Sequence, residues 1–185
     1  MQSIFNAIPD RAGKTLVLGG DGRFYNREAI QIILRMAAGN GWGKVVVGRG
    51  GLFSTPAVST VIRARGAHGG IILSASHNAG GPDQDFGIKY NTANGGPAPE
   101  KLTDAIWTAS RSIQGYQILD GADVDIDHAA TFWLGDMQIE VCDPVAEYAE
   151  LMARIFDFDA LKRLMQGPFR MRFDALHAIT GPYAH

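Results

Sequence analysis

Short apolar runs bordered by glycine alternate along this chain with stretches in which apolar residues return every three or four positions. Thr15–Gly20, Lys44–Gly48 and Gly69–Ser74 are runs of the first kind, and continuous apolar runs of that length predict strands buried on both faces. Between the first two, Ala29, Ile30, Ile33, Leu34, Met36 and Ala37 gather on one side of a helix that Asn26 can cap and Gly39 and Gly41 stop. Ser54 is placed to cap the next helix, with Pro56 in its first turn, Val58, Val61 and Ile62 on its apolar side and Gly66 at its end. Strands alternating with helices predict an α/β fold: a mixed, largely parallel sheet with helices on both faces.

The rhythm breaks between Ala75 and Pro99, a segment crowded with Gly, Asn, Asp and Pro that holds one strand candidate, Phe86–Tyr90. Loops this long inside a compact domain are usually functional. A helix with Pro99 near its start carries Leu102, Ile106 and Ala109 on one face, whereas residues 113–135 show no clear period. Met137–Val141 predicts a further strand. Asp143 can cap a helix from Pro144 to about Ile155, and Asp157 or Asp159 a shorter one to Met165. Phe169, Met171 and Phe173 then alternate with Arg170, Arg172 and Asp174, the period-two signature of a strand. Met1, Ile4, Phe5 and Ile8 have helical spacing with no capping residue ahead of them. A lone terminal strand lacks the neighbours a sheet needs. The expected organisation is therefore one α/β domain over 1–142, truncated at its start, and the incomplete opening of a second over 143–185.

Composition narrows the function classes. Seventeen Lys and Arg stand against 19 Asp and Glu, a net charge of −2, so the basic excess of a nucleic-acid or anionic-membrane binder is missing. The expectation is no nucleic-acid partner and no membrane. Glycine contributes 23 residues, roughly twice the usual share of 7%, which suits tight turns and loops that approach a ligand closely. The single cysteine, Cys142, allows no internal disulfide, and Met1–Ile8 does not resemble a secretory signal. Both point to a reducing, cytoplasmic setting.

Candidate chemistry centres on Ser74-Ala-Ser-His-Asn-Ala-Gly-Gly-Pro82, immediately after the third strand. Ligands of open α/β sheets bind beyond the carboxyl ends of the strands, and a serine in a glycine-rich turn there can act as a nucleophile. Ser76 with its neighbour His77 is the leading candidate. Lys89 alternates away from Phe86, Ile88 and Tyr90, so it points to solvent or a cleft. Arg23, after the first strand, falls at the same sheet edge as Ser76, where it suits bidentate phosphate binding or an ion pair with Asp21 or Glu28. Other matches fail. His128 stands where a calcium loop starting at Asp123 requires glycine, and Phe53 where a dinucleotide fingerprint starting at Gly48 requires it. His68, His128, His177 and His185 lack metal-site spacing, and Trp42, Trp107 and Trp133 are read as packing residues.

Together, Gly19-Gly-Asp-Gly-Arg-Phe-Tyr25, Ser54-Thr-Pro-Ala57, Ser74-Ala-Ser-His-Asn78 and Gly80-Gly-Pro-Asp-Gln-Asp-Phe-Gly-Ile-Lys-Tyr-Asn91 closely resemble the phosphoglucomutases of the α-D-phosphohexomutase superfamily. The resemblance extends over almost the whole chain, through Asp143-Pro-Val-Ala-Glu-Tyr-Ala149 and Arg172-Phe-Asp-Ala-Leu-His177. It implies that Ser76 is the phosphoryl carrier, that His77 and Lys89 assist catalysis, and that Arg23 and Asn78 bind substrate or phosphate. It implies interconversion of glucose 1-phosphate and glucose 6-phosphate through glucose 1,6-bisphosphate, which also serves as activator. Mg²⁺ is the implied cofactor, with the Ser76 phosphate as one ligand. The family's Asp-Gly-Asp-Gly-Asp-Arg metal loop does not occur in this sequence, and Ala79 replaces the proline usual after Ser-His-Asn. The implied role is the phosphoserine portion of such an enzyme, with little activity alone. The alternatives are a non-catalytic interaction module, or half of a split enzyme that self-associates or pairs with a complementing fragment through its C-terminal unit.

Overall fold

In the computed structural model, which describes residues 1–184, the chain opens with a short helix α1 (Gln2–Asn6) and then winds β1 (Thr15–Gly20), α2 (Asn26–Gly39), β2 (Lys44–Leu52), α3 (Thr55–Ala64) and β3 (Gly69–Leu73). After the serine loop come β4 (Ile88–Thr92), α4 (Glu100–Ser112), β5 (Thr131–Leu134), β6 (Met137–Cys142), α5 (Ala146–Ile155) and α6 (Phe158–Gln166). The strands form one sheet in the order β4-β3-β1-β2-β6-β5. The inner pairs β1–β2, β1–β3 and β2–β6 are parallel, and the two edge strands β4 and β5 run antiparallel to their neighbours.

The valine- and leucine-rich runs are explained by burial from both sides. Leu16, Leu18, Val45, Val47, Ile71 and Leu73 face one way, against Ile30, Ile33 and Leu34 of α2. Val17, Val46 and Ile72 face the other, against Val58, Val61 and Ile62 of α3. A strand with apolar side chains on both faces gains nothing at a solvated sheet edge, so these strands take the centre. Burial pushes the thiol of Cys142, at the end of β6, up to about 12.

Ser54 caps α3 as its sequence position predicts, accepting from the Ala57 N–H at 3.3 Å, and Asp157 caps α6 through the Ala160 N–H at 2.8 Å. Asn26 does not cap α2. Tyr25 occupies that position with a left-handed φ of 69°, and the Asn26 side chain turns inward to donate to the Gly51 carbonyl. Asp143 closes a local turn onto the Val145 N–H, so α5 starts later than Pro144. The expected strand over 169–174 is absent: these residues are coil, with Phe169, Met171 and Phe173 exposed. Alternation alone does not make a strand where no neighbouring strand offers hydrogen bonds. The strand expected over Phe86–Tyr90 lies two residues further on, as β4. Trp42 is buried, but Trp107 and Trp133 are exposed and do not pack the core; His185 lies outside the described residues.

Residues 113–130, without periodicity in the sequence, are pinned by side chains of α2. Gln31 exchanges hydrogen bonds with both backbone groups of Val124, and Ile126 is almost completely buried. Elsewhere Glu140 on β6 accepts from Lys44 and Arg65, and Arg65 also pairs with Glu147 of α5. Burial raises the Glu140 carboxyl, but the hydrogen bonds from Lys44 and Arg65 outweigh it and hold it below its ordinary value of 4.5. A depressed carboxyl contributes stability above its unfolded pKa and loses it as pH falls through the folded one. Glu140→Gln is therefore expected to cost about 1 kcal/mol near neutral pH and to flatten the decline below about pH 4.5, read by urea unfolding across that range.

Candidate active site

Three segments meet beyond the carboxyl ends of the central strands, where the sequence reading expected a ligand. Asp21, Gly22 and Arg23 leave β1, Ser54–Pro56 open α3, and Ser74–Gly80 leave β3. They line a cleft of about 850 Å³ whose far wall is formed by residues 175–180, with Tyr148 and Tyr183 at one end. Tyr183 holds that wall: its hydroxyl accepts from the Ser54 N–H at 2.9 Å and donates to the Pro144 carbonyl at 3.0 Å.

Ser76 is exposed at the mouth of the cleft with a left-handed φ of 57°. That conformation costs an L-residue about 1–2 kcal/mol and persists only where its surroundings impose it. Two contacts do so. The Ser76 N–H donates to Ser74 Oγ at 3.0 Å, and its carbonyl accepts from Arg23 Nη2 at 3.2 Å. The turn delivers Ser76 Oγ to Lys89, whose Nζ donates to it at 3.0 Å. Lys89 reaches it because β4 pairs antiparallel with β3, setting Lys89 opposite Ile72. A loop separates the two residues in sequence, and only the strand pairing joins them.

Arg23 forms a fork on Asp21: Nε lies 3.0 Å from Oδ1 and Nη2 lies 2.9 Å from Oδ2. Its Nη1 donates to the carbonyls of Asp85, at 2.7 Å, and Asn78, at 3.4 Å. Burial raises the Asp21 carboxyl, but hydrogen bonds from Arg23 and Ser74 prevail and hold it below the usual carboxylate range. Asn78 donates through Nδ2 to Asp85 Oδ2 at 2.7 Å. His77 lines the same cleft as Ser76. The structure thus brings Ser76, His77, Asn78, Arg23 and Lys89 to one loop and its rim. Sequence reasoning did not single out Ser74 or the wall at 175–183; the Gly181-Pro-Tyr183 turn signal was the available clue to the latter.

The residues present do not make a Mg²⁺ site. Among the described residues no three His, Cys, Asp or Glu side chains come together. The carboxylates nearest the loop are engaged, Asp21 by Arg23 and Asp85 by Asn78. A phosphate on Ser76 would supply oxygen donors of the hard kind Mg²⁺ takes, but further ligands have to come from elsewhere.

Fold and loop together define an α/β/α domain that presents one serine, between a lysine and an arginine-ordered turn, at the carboxyl edge of its sheet. Residues 1–117 match the model of the family described as phosphoglucomutase/phosphomannomutase, alpha/beta/alpha domain I. The chain belongs to that family. It is 56% identical to a phosphoglucomutase of Rhizobium radiobacter, over all of this chain and 34% of that protein. It is 49% identical to phosphoglucomutase-1 of Oryctolagus cuniculus, over 99% of this chain and 34% of that one. The crystal structure of the exocytosis-sensitive phosphoprotein parafusin, a phosphoglucomutase from Paramecium in its open form, superposes with a TM-score of 0.93 at 41% identity, covering 99% of this chain and 36% of that one. The chain therefore spans about a third of the length of these relatives. Among the described residues no helix is long and apolar enough to cross a membrane.

Proposed function

We propose that this chain is the phosphoryl-carrying portion of a phosphoglucomutase, with residues 1–142 as its phosphoserine domain and 143–185 opening the next unit. The observation that carries this reading is Lys89 Nζ at 3.0 Å from an exposed Ser76 Oγ, in a turn held open to a cleft large enough for a sugar phosphate. Phosphoryl transfer demands little covalent chemistry from a protein and much positioning and charge neutralisation. When a phosphoserine donates to a glucose phosphate, the P–Oγ bond breaks, a bond forms between phosphorus and a sugar hydroxyl oxygen, and that hydroxyl loses its proton. Ser76 Oγ gains one in exchange. Lys89 is placed to neutralise the charge developing on Oγ and to supply that proton, and His77 faces the same cleft as the sugar. Return of the other phosphoryl group from glucose 1,6-bisphosphate restores the carrier. Mg²⁺, when bound, would add charge neutralisation.

Incubating the chain with glucose 1,6-bisphosphate and measuring its intact mass tests the reading. The expected result is a gain of one phosphoryl group, mapped by fragmentation to Ser76. No gain, or a gain at another residue, would overturn it. Because the relatives are about three times as long, turnover of glucose 1-phosphate by this chain alone is expected near background in a coupled assay. The exposed side chains of Phe169, Met171 and Phe173 favour the companion reading that this part works joined to further polypeptide.

A further inference from the structure

We infer that Arg23 is a positioning residue that shapes the serine turn, and not a ligand of the sugar phosphate; this rests on the carrier role proposed for Ser76. A guanidinium offers five N–H donors in a rigid fork and cannot be deprotonated in a protein. Here each donor already has an acceptor. Nε–H and one Nη2–H go to Asp21, the other Nη2–H to the Ser76 carbonyl, and the two Nη1–H to the carbonyls of Asn78 and Asp85. A phosphate oxygen can take one of these hydrogens only by displacing an acceptor. Two of the five hydrogens are held by a carboxylate, in a pair whose side chains are only 7% and 16% exposed, and the other three hold the backbone of the serine loop itself.

The placement of the acceptors says what the fork does. Two carbonyls come from near the start and one from near the far end of the loop joining β3 to β4, so one planar group ties three loop carbonyls to the end of β1. Its base is itself fixed, because the Asp21 N–H donates to the Leu73 carbonyl at 3.0 Å. Gly80 lets the loop lie directly on the arginine: a Cβ there would sit 3.1 Å from Arg23 Cβ. Ser74 completes the arrangement, accepting from the Ser76 N–H and stabilising the Asp21 carboxylate. Asp21 aligns Arg23, Arg23 and Ser74 hold the two backbone groups of Ser76, and the resulting left-handed turn aims Oγ at Lys89. A lysine at position 23 keeps the charge but cannot reach acceptors spread around a plane.

The test uses the full chain with Arg23→Lys. Inorganic phosphate titrated into isotope-labelled wild type is expected to leave the Arg23 Nε–H resonance unmoved, whereas Arg23→Lys shifts the Ser76, Asn78 and Asp85 amides. Thermolysin cleavage within 75–87, followed by mass, is expected to accelerate about tenfold in the variant, as the loop leaves its protected state. In phosphoryl uptake from glucose 1,6-bisphosphate, Arg23→Lys is expected to lower the maximal rate about 100-fold through misplacement of Oγ, with the half-saturating concentration unchanged. A phosphate-dependent shift of the Arg23 resonance, a raised half-saturating concentration, or equal resistance of the loop would overturn the inference. If wild type takes up no phosphoryl group, the carrier reading fails by itself, and the resonance and proteolysis results still decide the role of Arg23.

Discussion

Ser76→Ala is expected to take up no phosphoryl group at all from glucose 1,6-bisphosphate, so that its intact mass stays unchanged under conditions that load the wild-type chain. The expectation is absolute because the substitution removes the acceptor atom. It leaves the surroundings in place: Ser74 still receives the N–H of residue 76, and Arg23 still donates to its carbonyl, since both contacts are to backbone. Alanine tolerates a left-handed φ no worse than serine does in principle, and the loop remains anchored at Asn78 and Asp85. Unchanged thermal unfolding with complete loss of uptake separates chemistry from folding. Residual uptake at the wild-type level in Ser76→Ala would move the carrier elsewhere, and with it the function proposed here.

Gly20→Ala is expected to be strongly damaging to the fold beside the site. Gly20 ends β1 where β3 and α2 converge. A Cβ there would overlap the Leu73 carbonyl oxygen and the buried Oδ1 of Asn26, and would lie 2.7 Å from Leu73 Cβ. Two of those atoms cannot step aside: one is backbone of a central strand, and the Asn26 side chain is locked by its bond to Gly51. Overpacking of this kind costs about 3 kcal/mol or more, which for a chain of this size lowers the unfolding midpoint by on the order of 10 °C. The strain also reaches the serine turn, because Asp21 follows Gly20 directly. Thermal unfolding followed by circular dichroism checks the first effect, and thermolysin sensitivity of residues 75–87 the second. A midpoint within a degree or two of wild type would show that β1 and β3 separate more easily than their packing implies.

Much of the architecture was legible from local pattern. The three glycine-bordered apolar runs became neighbouring parallel strands at the centre of the sheet, because a strand apolar on both faces has only one stable location. The Ser54 and Asp157 caps were readable because a side-chain oxygen three residues before a helical N–H is a purely local geometry. Asn26 misled for the same reason: its residue type and position fit a cap, but Gly51, distant in sequence, offers its carbonyl inside the core. The alternation from Phe169 to Asp174 misled because period two records a preference and not a partner, and no strand among the described residues pairs with it. The strap over 113–130 was invisible, since it is held by α2 side chains and not by any period of its own.

For the candidate site the division is sharper. Residue order by itself established that a serine follows a buried strand within a glycine-rich loop, that an arginine follows another strand, and that a lysine sits in a short alternating segment. These are facts of sequence and of the sheet edge they imply. Only the folded chain decided that Lys89 meets Ser76, because that contact depends on β4 turning back antiparallel on β3. Only it decided that Arg23 spends its donors on Asp21 and three loop carbonyls, because hydrogen-bond saturation is a property of what surrounds a group in space. Chemical identity is carried by each residue alone, but reach, orientation and occupancy arise from neighbours that the chain brings together across long stretches of sequence.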